Sequence, residues 1–347
     1  MPNDQESRDL LHQLLFGFYA SQLIVVAARL GLADLLRDGP RTNDELARST
    51  ATHASSLRRV LRGLACVGVL YEIEPGHFEL SPLGEPLLSD APESMHSVVT
   101  LYGGEEVWRA WGNLLYSVKT GETAFEQLYG VNHFGWVAQS SSSEAYFHEL
   151  WGDTTSQVAP AILAAYDFSG FRSVVDVGGG NGALVAAILA ANPAQHGVLF
   201  DTAAGVSEAA AVLAAAGVAD RCDVVAGDFF ESVPRGGDLY ILKSAFDDWD
   251  EKRIVEILSN CRRAMAGDAR LAVVEAVLPP RIERPGTGVG LVMSDLNMLV
   301  CCGGHRRTEI ELSSLLGSAG FEVSRVVPVP STDFSVIEAV PAPNRAG

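Results

Sequence analysis

The residues best placed to do chemistry lie in one glycine-rich run, Asp176-Val-Gly-Gly-Gly-Asn-Gly182, which follows an apolar stretch and precedes an alanine-rich one. Glycines at the end of a strand let the backbone approach a ligand closely and adopt torsions that a Cβ forbids, and the helix that follows offers free N–H groups. Read as Gly178, Gly180 and Ala183, the run also satisfies the relaxed dinucleotide fingerprint, with Asp201 at about the distance of a ribose-binding acid. Two features separate the alternatives. Asp176 stands just before the glycines, where a carboxylate repels pyrophosphate and attracts the ammonium of an amino-acid moiety. Downstream, Gly227-Asp228-Phe229-Phe230 would set a carboxylate and an aromatic face at an adenine edge, and Lys243 would meet a carboxylate end.

These residues need a scaffold, and the chain supplies a pattern for one. Near-continuous apolar segments at 173–177, 197–201, 223–226, 239–243, 271–276, 323–329 and 334–340, with helices at 184–191 and 206–215, predict a mostly parallel seven-stranded sheet covered on both faces, of the doubly wound α/β class. The last two strands lack an intervening helix and should close as an antiparallel hairpin. The first 95 residues read differently: helical spacing over 10–36, a capping box at Thr42 and Glu45, a helix beginning at Ser55, and two alternating strands around Glu74-Pro75-Gly76. That order is a mainly α-helical winged-helix-like unit. Residues 96–165 read as a helical linker rich in aromatics that contributes to a pocket, and 166–347 as the ligand-binding sheet domain.

Composition narrows the partners. With 347 residues and 48% apolar content there is material for one large core and a smaller one, whereas 43 acidic against 25 basic residues give a net charge of −18. Such a balance opposes nucleic acid and anionic membranes, despite Arg58, Arg59 and Arg62 on the second helix of the winged unit. The apolar stretch at 14–28 is interrupted by Gly17, Tyr19, Ser21 and Gln22 and falls short of a bilayer span, and the acidic opening residues do not resemble a secretory leader. Five cysteines, among them the adjacent Cys301 and Cys302, show no metal-binding spacing. The expectation is a cytoplasmic protein with no metal site, whose long N-terminal helix is buried by a second copy of the chain.

Taken together, Asp176-Val-Gly-Gly-Gly-Asn-Gly, Leu199-Phe-Asp201, Gly227-Asp-Phe-Phe, Leu242-Lys243, Asp248-Trp249, Glu275, Asp295-Leu-Asn-Met and Gly303-Gly304 with Arg307-Thr308 resemble the S-adenosylmethionine-dependent O-methyltransferases with an N-terminal dimerisation domain, the type found in plant phenolic and bacterial polyketide or phenazine tailoring. The resemblance runs from the helical N-terminus to Phe321. It implies a class I methyltransferase fold, a homodimer, S-adenosyl-L-methionine as cofactor with S-adenosyl-L-homocysteine as product, and a small aromatic acceptor. It also implies that the glycine loop (Asp176, Gly178, Gly180) holds the methionine part, Asp201 the ribose, Asp228 and Phe229 the adenine, and that Lys243 contacts the polar end.

The chain departs from that family at the catalytic base. Where the family reads Leu-His-Asp-Trp this chain reads Phe246-Asp247-Asp248-Trp249, and the glutamate of the Gly-Gly-x-Glu-Arg-Thr segment is Arg306, so only Glu275 of three catalytic partners is kept. Transfer of a proton from a phenol near ~10 to histidine near ~6.5 is uphill by about 5 kcal/mol; to a carboxylate near ~3.9 it costs about 8 kcal/mol. An Asp247–Arg306 ion pair in the old catalytic slot is therefore expected, with methyl transfer driven by proximity to an acceptor hydroxyl that is already acidic. His133 and His305 are weaker substitutes for the base. The acceptor pocket is expected to be lined by Phe147, Trp151, Phe246, Met293, Asn297 and Met298, with Asn297 orienting the substrate. Two other functions fit the same letters: an enzyme that binds the cofactor without transferring its methyl group, for hydroxylation, decarboxylation or pericyclic chemistry, and a ligand-sensing regulator whose winged helix reads DNA.

Overall fold

The computed structural model describes residues 4–91, 94–137, 139, 154–247 and 249–343. They fall into two compact units, the first holding the described residues to Gly112 together with Val137 and 139, the second Asn113–Trp136 and the described residues from 154 onward. The segment read as a linker thus divides between the two.

In the first unit the opening helices are Asp4–Leu15, Gly17–Arg29 and Leu32–Leu36, with Gly31 at φ +60° turning the chain between the last two. Thr42 and Glu45 form the expected reciprocal cap of helix Asn43–Ser49. Helix Ala54–Cys66 buries Leu57, Leu61 and Leu64, one per turn on a single face, and leaves Arg58, Arg59 and Arg62 outward. Strands β1 (Arg41–Thr42), β2 (Leu70–Glu74) and β3 (His77–Leu80) pair antiparallel in the order β1-β3-β2, and Phe78 closes the core against Leu46, Leu61 and Leu70. Leu10, Leu11, Leu14 and Leu15 remain 53–70% exposed. By length and composition Gln5–Arg29 is apolar enough to cross a membrane, although the rod is interrupted at Phe16 and Val25, Ala27 and Ala28 are buried within the unit. Phe18, Ile24, Val25, Tyr102, Trp108 and Trp111 line an apolar cavity of about 730 Å³.

The second unit is built on β4 (Ser173–Val177), β5 (His196–Asp201), β6 (Cys222–Ala226), β7 (Leu239–Lys243), β8 (Arg270–Leu278), β9 (Arg307–Thr308), β10 (Phe321–Pro328) and β11 (Phe334–Pro341). Seven of these lie in the order β10-β11-β8-β7-β4-β5-β6, and the short β9 pairs parallel to β8. The pairs from β8 to β6 are parallel; β11 runs antiparallel to both β8 and β10, the expected closing hairpin. Val174, Leu184 and Ile188 pack on one face, Val175, Tyr240 and Leu258 on the other, which is why these strands read as unbroken apolar runs. Strand order reverses around β4, whose neighbours are β5 and β7, so the crevice beyond its carboxyl end is a topological switch point. The glycine run leaves β4 there.

Candidate functional site

Each glycine of the turn has its own reason. Gly178 has φ +70°, and a Cβ there would touch the Phe229 ring at 3.4 Å; a Cβ on Gly179 would lie 2.6 Å from the Asp176 carboxyl carbon; Gly180, at φ +56°, donates its N–H to Asp201 Oδ2 at 2.8 Å. Gly182, also left-handed, opens helix Ala183–Ala191. Asp176 is 1% exposed, and neither carboxylate oxygen has a hydrogen-bond partner among the described residues. Burial pushes its pKa up to about 7; Lys243 pulls it down and Asp201 adds to the rise. A buried carboxylate left without donors is costly, and an alkylammonium is the ligand that would relieve it. The donor set thus fits the amino-acid end of a sulfonium nucleoside.

Asp201 closes β5, its Oδ1 accepting from the N–H of Thr202 at 2.6 Å and its Oδ2 engaged by Gly180. Asp228 is exposed and accepts from Phe230 N–H at 2.8 Å, which folds the turn that carries Phe229. That turn is fixed by a residue that no local pattern marks. Asn260, 2% exposed on helix Glu251–Ala264, donates to the carbonyls of Phe229 and Phe230 at 2.7 and 2.8 Å. Trp249 meets both rings edge-on, at 6.3 and 4.9 Å between centroids.

Lys243 ends β7, with Nζ 5.2 Å above the Phe334 ring and donating to Ser244 Oγ at 3.2 Å. Burial pushes its pKa down, and Glu275, Asp176 and Asp247 oppose the shift. Ser244 follows with φ +51°, a left-handed conformation that a non-glycine residue holds only where its surroundings impose it, as at many active sites.

Beyond Ser244 lies the altered slot. Arg306 Nη1 donates to Asp247 Oδ2 at 2.6 Å, and both side chains are 12% exposed. The guanidinium is aimed by Ser294 Oγ, which accepts from Nε and Nη2 at 3.2 and 3.1 Å, while Asp295 Oδ1 accepts the Arg306 N–H at 2.7 Å. Glu275, in the middle of β8, is 1% exposed; its Oε1 accepts from Phe246 N–H at 2.9 Å and its Oε2 has no partner among the described residues. Burial, then the neighbouring Asp247, hold the Glu275 carboxyl well above the usual range. Burial raises Asp247 too, but Arg306 pulls it back. With an always-charged guanidinium at 2.6 Å, Asp247 is the more readily ionised of the two, and Glu275, with no cation in hydrogen-bond contact among the described residues, the more readily protonated.

The residues expected around the acceptor are only partly brought together. Phe246 is a correction: its ring is fully buried in the core with Leu242, Ile254 and Leu312, because its peptide is drawn inward to Glu275, so it lines no cavity. Met293, on helix Val289–Asn297, is 48% exposed; Asn297 is half-buried, with Cys301 Sγ 3.6 Å from its Oδ1; Met298 is buried and opens a π-helical turn, Met298–Cys302. Such turns are rare and often mark functional sites. Phe147 and Trp151 lie outside the described residues. His133 is buried edge-on to Phe125, and His305 is exposed, with desolvation and then the neighbouring Arg307 pushing its pKa down. Burial pushes the Cys301 thiol up to about 12, and no cluster of metal-binding side chains occurs among the described residues.

Comparison with known proteins matches both halves of the chain. Residues 111–322 fit the family model of an O-methyltransferase domain, and residues 12–90 that of an O-methyltransferase dimerisation domain. The chain is similar to the phenazine O-methyltransferase of Lysobacter antibioticus, 45% identical over 96% of both chains. It also resembles the solved structure of a mitomycin 7-O-methyltransferase, with TM-score 0.90, 36% identity and coverage of 97% and 98%. A third likeness is to an O-methyltransferase from neocarzinostatin biosynthesis in complex with S-adenosylmethionine and 2-hydroxy-5-methyl naphthoic acid, with TM-score 0.80, 31% identity and coverage of 93% and 96%.

Proposed function

Because the chain belongs to the S-adenosylmethionine-dependent O-methyltransferases with a dimerisation domain, we propose that it methylates an already acidic hydroxyl of an aromatic or polyketide-type secondary metabolite, of the kind used in antibiotic biosynthesis. When bound, the cofactor supplies a methyl group on a cationic sulfur; the acceptor oxygen forms the new C–O bond as the S–CH₃ bond breaks, leaving S-adenosyl-L-homocysteine. The observation that carries the choice of acceptor is the Asp247–Arg306 ion pair. A carboxylate held by a guanidinium at 2.6 Å is a poor base, so the acceptor must arrive as an anion or lose its proton readily, as quinone-conjugated phenols and enols do.

In this reading Asp176 and the glycine turn hold the amino-acid end, Asp201 the ribose, Asp228 and Phe229 the adenine, and Lys243 the polar end. Arg306 keeps Asp247 ionised, so that the slot offers a fixed dipole in place of a proton acceptor. Asn297, at the end of helix Val289–Asn297, orients the acceptor. The enzyme works as a cytoplasmic homodimer: the dimerisation-domain match, residues 12–90, takes in Leu14 and Leu15, which stand 70% and 65% exposed. Incubation with S-adenosylmethionine and a panel of hydroxylated polycyclic quinones and hydroxyphenazines, against simple phenols, tests this. Methylated product and S-adenosylhomocysteine should appear one to one, and fastest with the most acidic hydroxyls.

The same ion pair supports a second reading, in which the bound cofactor's positive charge assists hydroxylation, decarboxylation or rearrangement with no methyl transferred. Turnover without S-adenosylhomocysteine would favour it.

A further inference from the structure

Among the described residues Arg307 is a deeply buried cation, at 2% exposure, with no ion-pair partner within 4 Å. Its guanidinium is spent on backbone instead. Nη1 donates to the carbonyl of Phe246 at 2.8 Å and of His305 at 3.1 Å, and Nη2 to the carbonyl of Trp249 at 3.1 Å. The carbonyls of 246 and 249 bracket Asp247, and that of 305 immediately precedes Arg306. Its own backbone lies in β9, opposite Val277 of β8, two residues beyond Glu275. One side chain therefore touches both loops that carry the ion pair and is anchored on the strand that carries the third acidic member.

The grip is tight on both sides of a single residue. The N–H of Phe246 is held by Glu275 and its carbonyl by Arg307, which fixes the direction in which the chain enters Asp247. Gly304 completes the contact between the loops: a Cβ there would fall inside the carbonyl of Asp247. We infer that Arg307 is a positioning residue of the methyl-transfer reaction, clamping the loops of residues 246–249 and 305–306 so that the Asp247 carboxylate and the Arg306 guanidinium meet in one geometry. The inference rests on the reading of that slot as the place where the acceptor hydroxyl reacts. Lysine has three donors in a cone rather than a planar fork, so it reproduces one of the three bonds at most while keeping the buried charge.

The test is a cycle of Arg307→Met and Arg307→Lys, each alone and combined with Arg306→Met, read as kcat, pH profile, S-adenosylhomocysteine affinity and thermal midpoint. Misplacing a reacting group by about 1 Å costs on the order of 10²-fold, so kcat of Arg307→Met should fall about 10- to 100-fold, with affinity for S-adenosylhomocysteine within about twofold of the parent. Arg307→Lys should recover part of the loss, and its pH profile should shift because Asp247 is no longer held against Arg306. In the Arg306→Met background, which has no pair to position, the further loss in kcat should shrink to about twofold or less. The lysine variant carries the test should the methionine variant not fold. Additive losses, or a lowered thermal midpoint with unchanged kcat and pH profile, would overturn the clamp. Thermal midpoints need no activity: coupling there in a protein that transfers no methyl group would keep the clamp and sink the proposed function alone, and additivity in an active enzyme would do the reverse.

Discussion

Arg306 Nη1 and Asp247 Oδ2 are 2.6 Å apart in a slot where each side chain is 12% exposed, and Ser294 and Asp295 hold the arginine from behind. Removing one partner of such a pair strands the other. Arg306→Met should therefore cost about 3 kcal/mol of stability at pH 8 and much less at pH 5, where the orphaned carboxyl takes up a proton. The sign follows from linkage: the carboxyl's folded-state pKa would stand above its unfolded value, so the penalty grows as pH rises between the two. Asp247→Asn combined with Arg306→Met should recover most of the loss. Urea unfolding at both pH values reads all three proteins, and an Arg306→Met variant as stable as its parent at pH 8 would refute the account.

Restoring the family pattern makes a second test. Asp247→His alone places an imidazole against a guanidinium that holds it unprotonated, whereas Asp247→His with Arg306→Glu rebuilds a supported base. The double variant should turn over simple phenols at least tenfold faster than the parent, because the proton transfer becomes about 3 kcal/mol less uphill. On acidified quinone phenols it should gain little. An equal gain on both acceptor classes would mean that proton removal is not what selects the substrate.

The sheet was legible because burial on both faces writes itself as unbroken apolar runs: β4 and β7 fall on 173–177 and 239–243 to the residue, and β5, β6 and β8 within two residues at either end. The turn residues of the cofactor site were legible for a similar reason, since glycine adopts the left-handed torsions at 178, 180 and 182 without the strain that a Cβ brings. Helix 206–215 starts late, at Ala209, because Gly205 and the Thr202 side chain hold the preceding residues in turns. What local pattern does not carry is direction. Phe246 beside a catalytic position reads as a pocket wall, yet its peptide bonds to Glu275 and Arg307 send it into the core. Asn260 and Arg307 act on backbone carbonyls far along the chain, and neither spacing nor residue type announces such a partner.

The leucines of the first helix make a third prediction. Leu10, Leu11, Leu14 and Leu15 stand at 53–70% exposure, and burying each fully is worth about 1.5–3 kcal/mol. A second copy that covers them would draw much of its affinity from this strip. Leu11→Glu with Leu15→Glu should turn a dimer into a monomer in sedimentation velocity at micromolar concentration, with the fold of the sheet domain intact by circular dichroism. A parent protein that is itself monomeric, or a variant that stays dimeric, would put the interface elsewhere.

The last prediction concerns Asp176, whose burial raises its pKa to about 7 and whose oxygens have no well-aligned donor among the described residues. In the unfolded chain the same carboxyl titrates near ~3.9, so from about pH 4 to pH 7 the folded protein holds a proton that the unfolded one has lost, and stability falls across that window by up to about 4 kcal/mol. Docking an ammonium on the carboxylate reverses the shift, since an opposite charge in contact favours the ionised form. Cofactor binding below pH 7 must therefore expel this proton, and affinity should drop about tenfold per unit as pH falls below 7. Above about pH 8 it should drop again, as an α-amino group near ~7.7–8.0 loses its charge. Titration calorimetry of S-adenosylmethionine at pH 6, in buffers of different ionisation enthalpy, should show close to one proton released per site, and at pH 7.5 far less. Asp176→Asn should abolish both the proton release and the acid limb while weakening binding throughout; a parent affinity that is flat from pH 5.5 to 7 would show that the ammonium is held elsewhere.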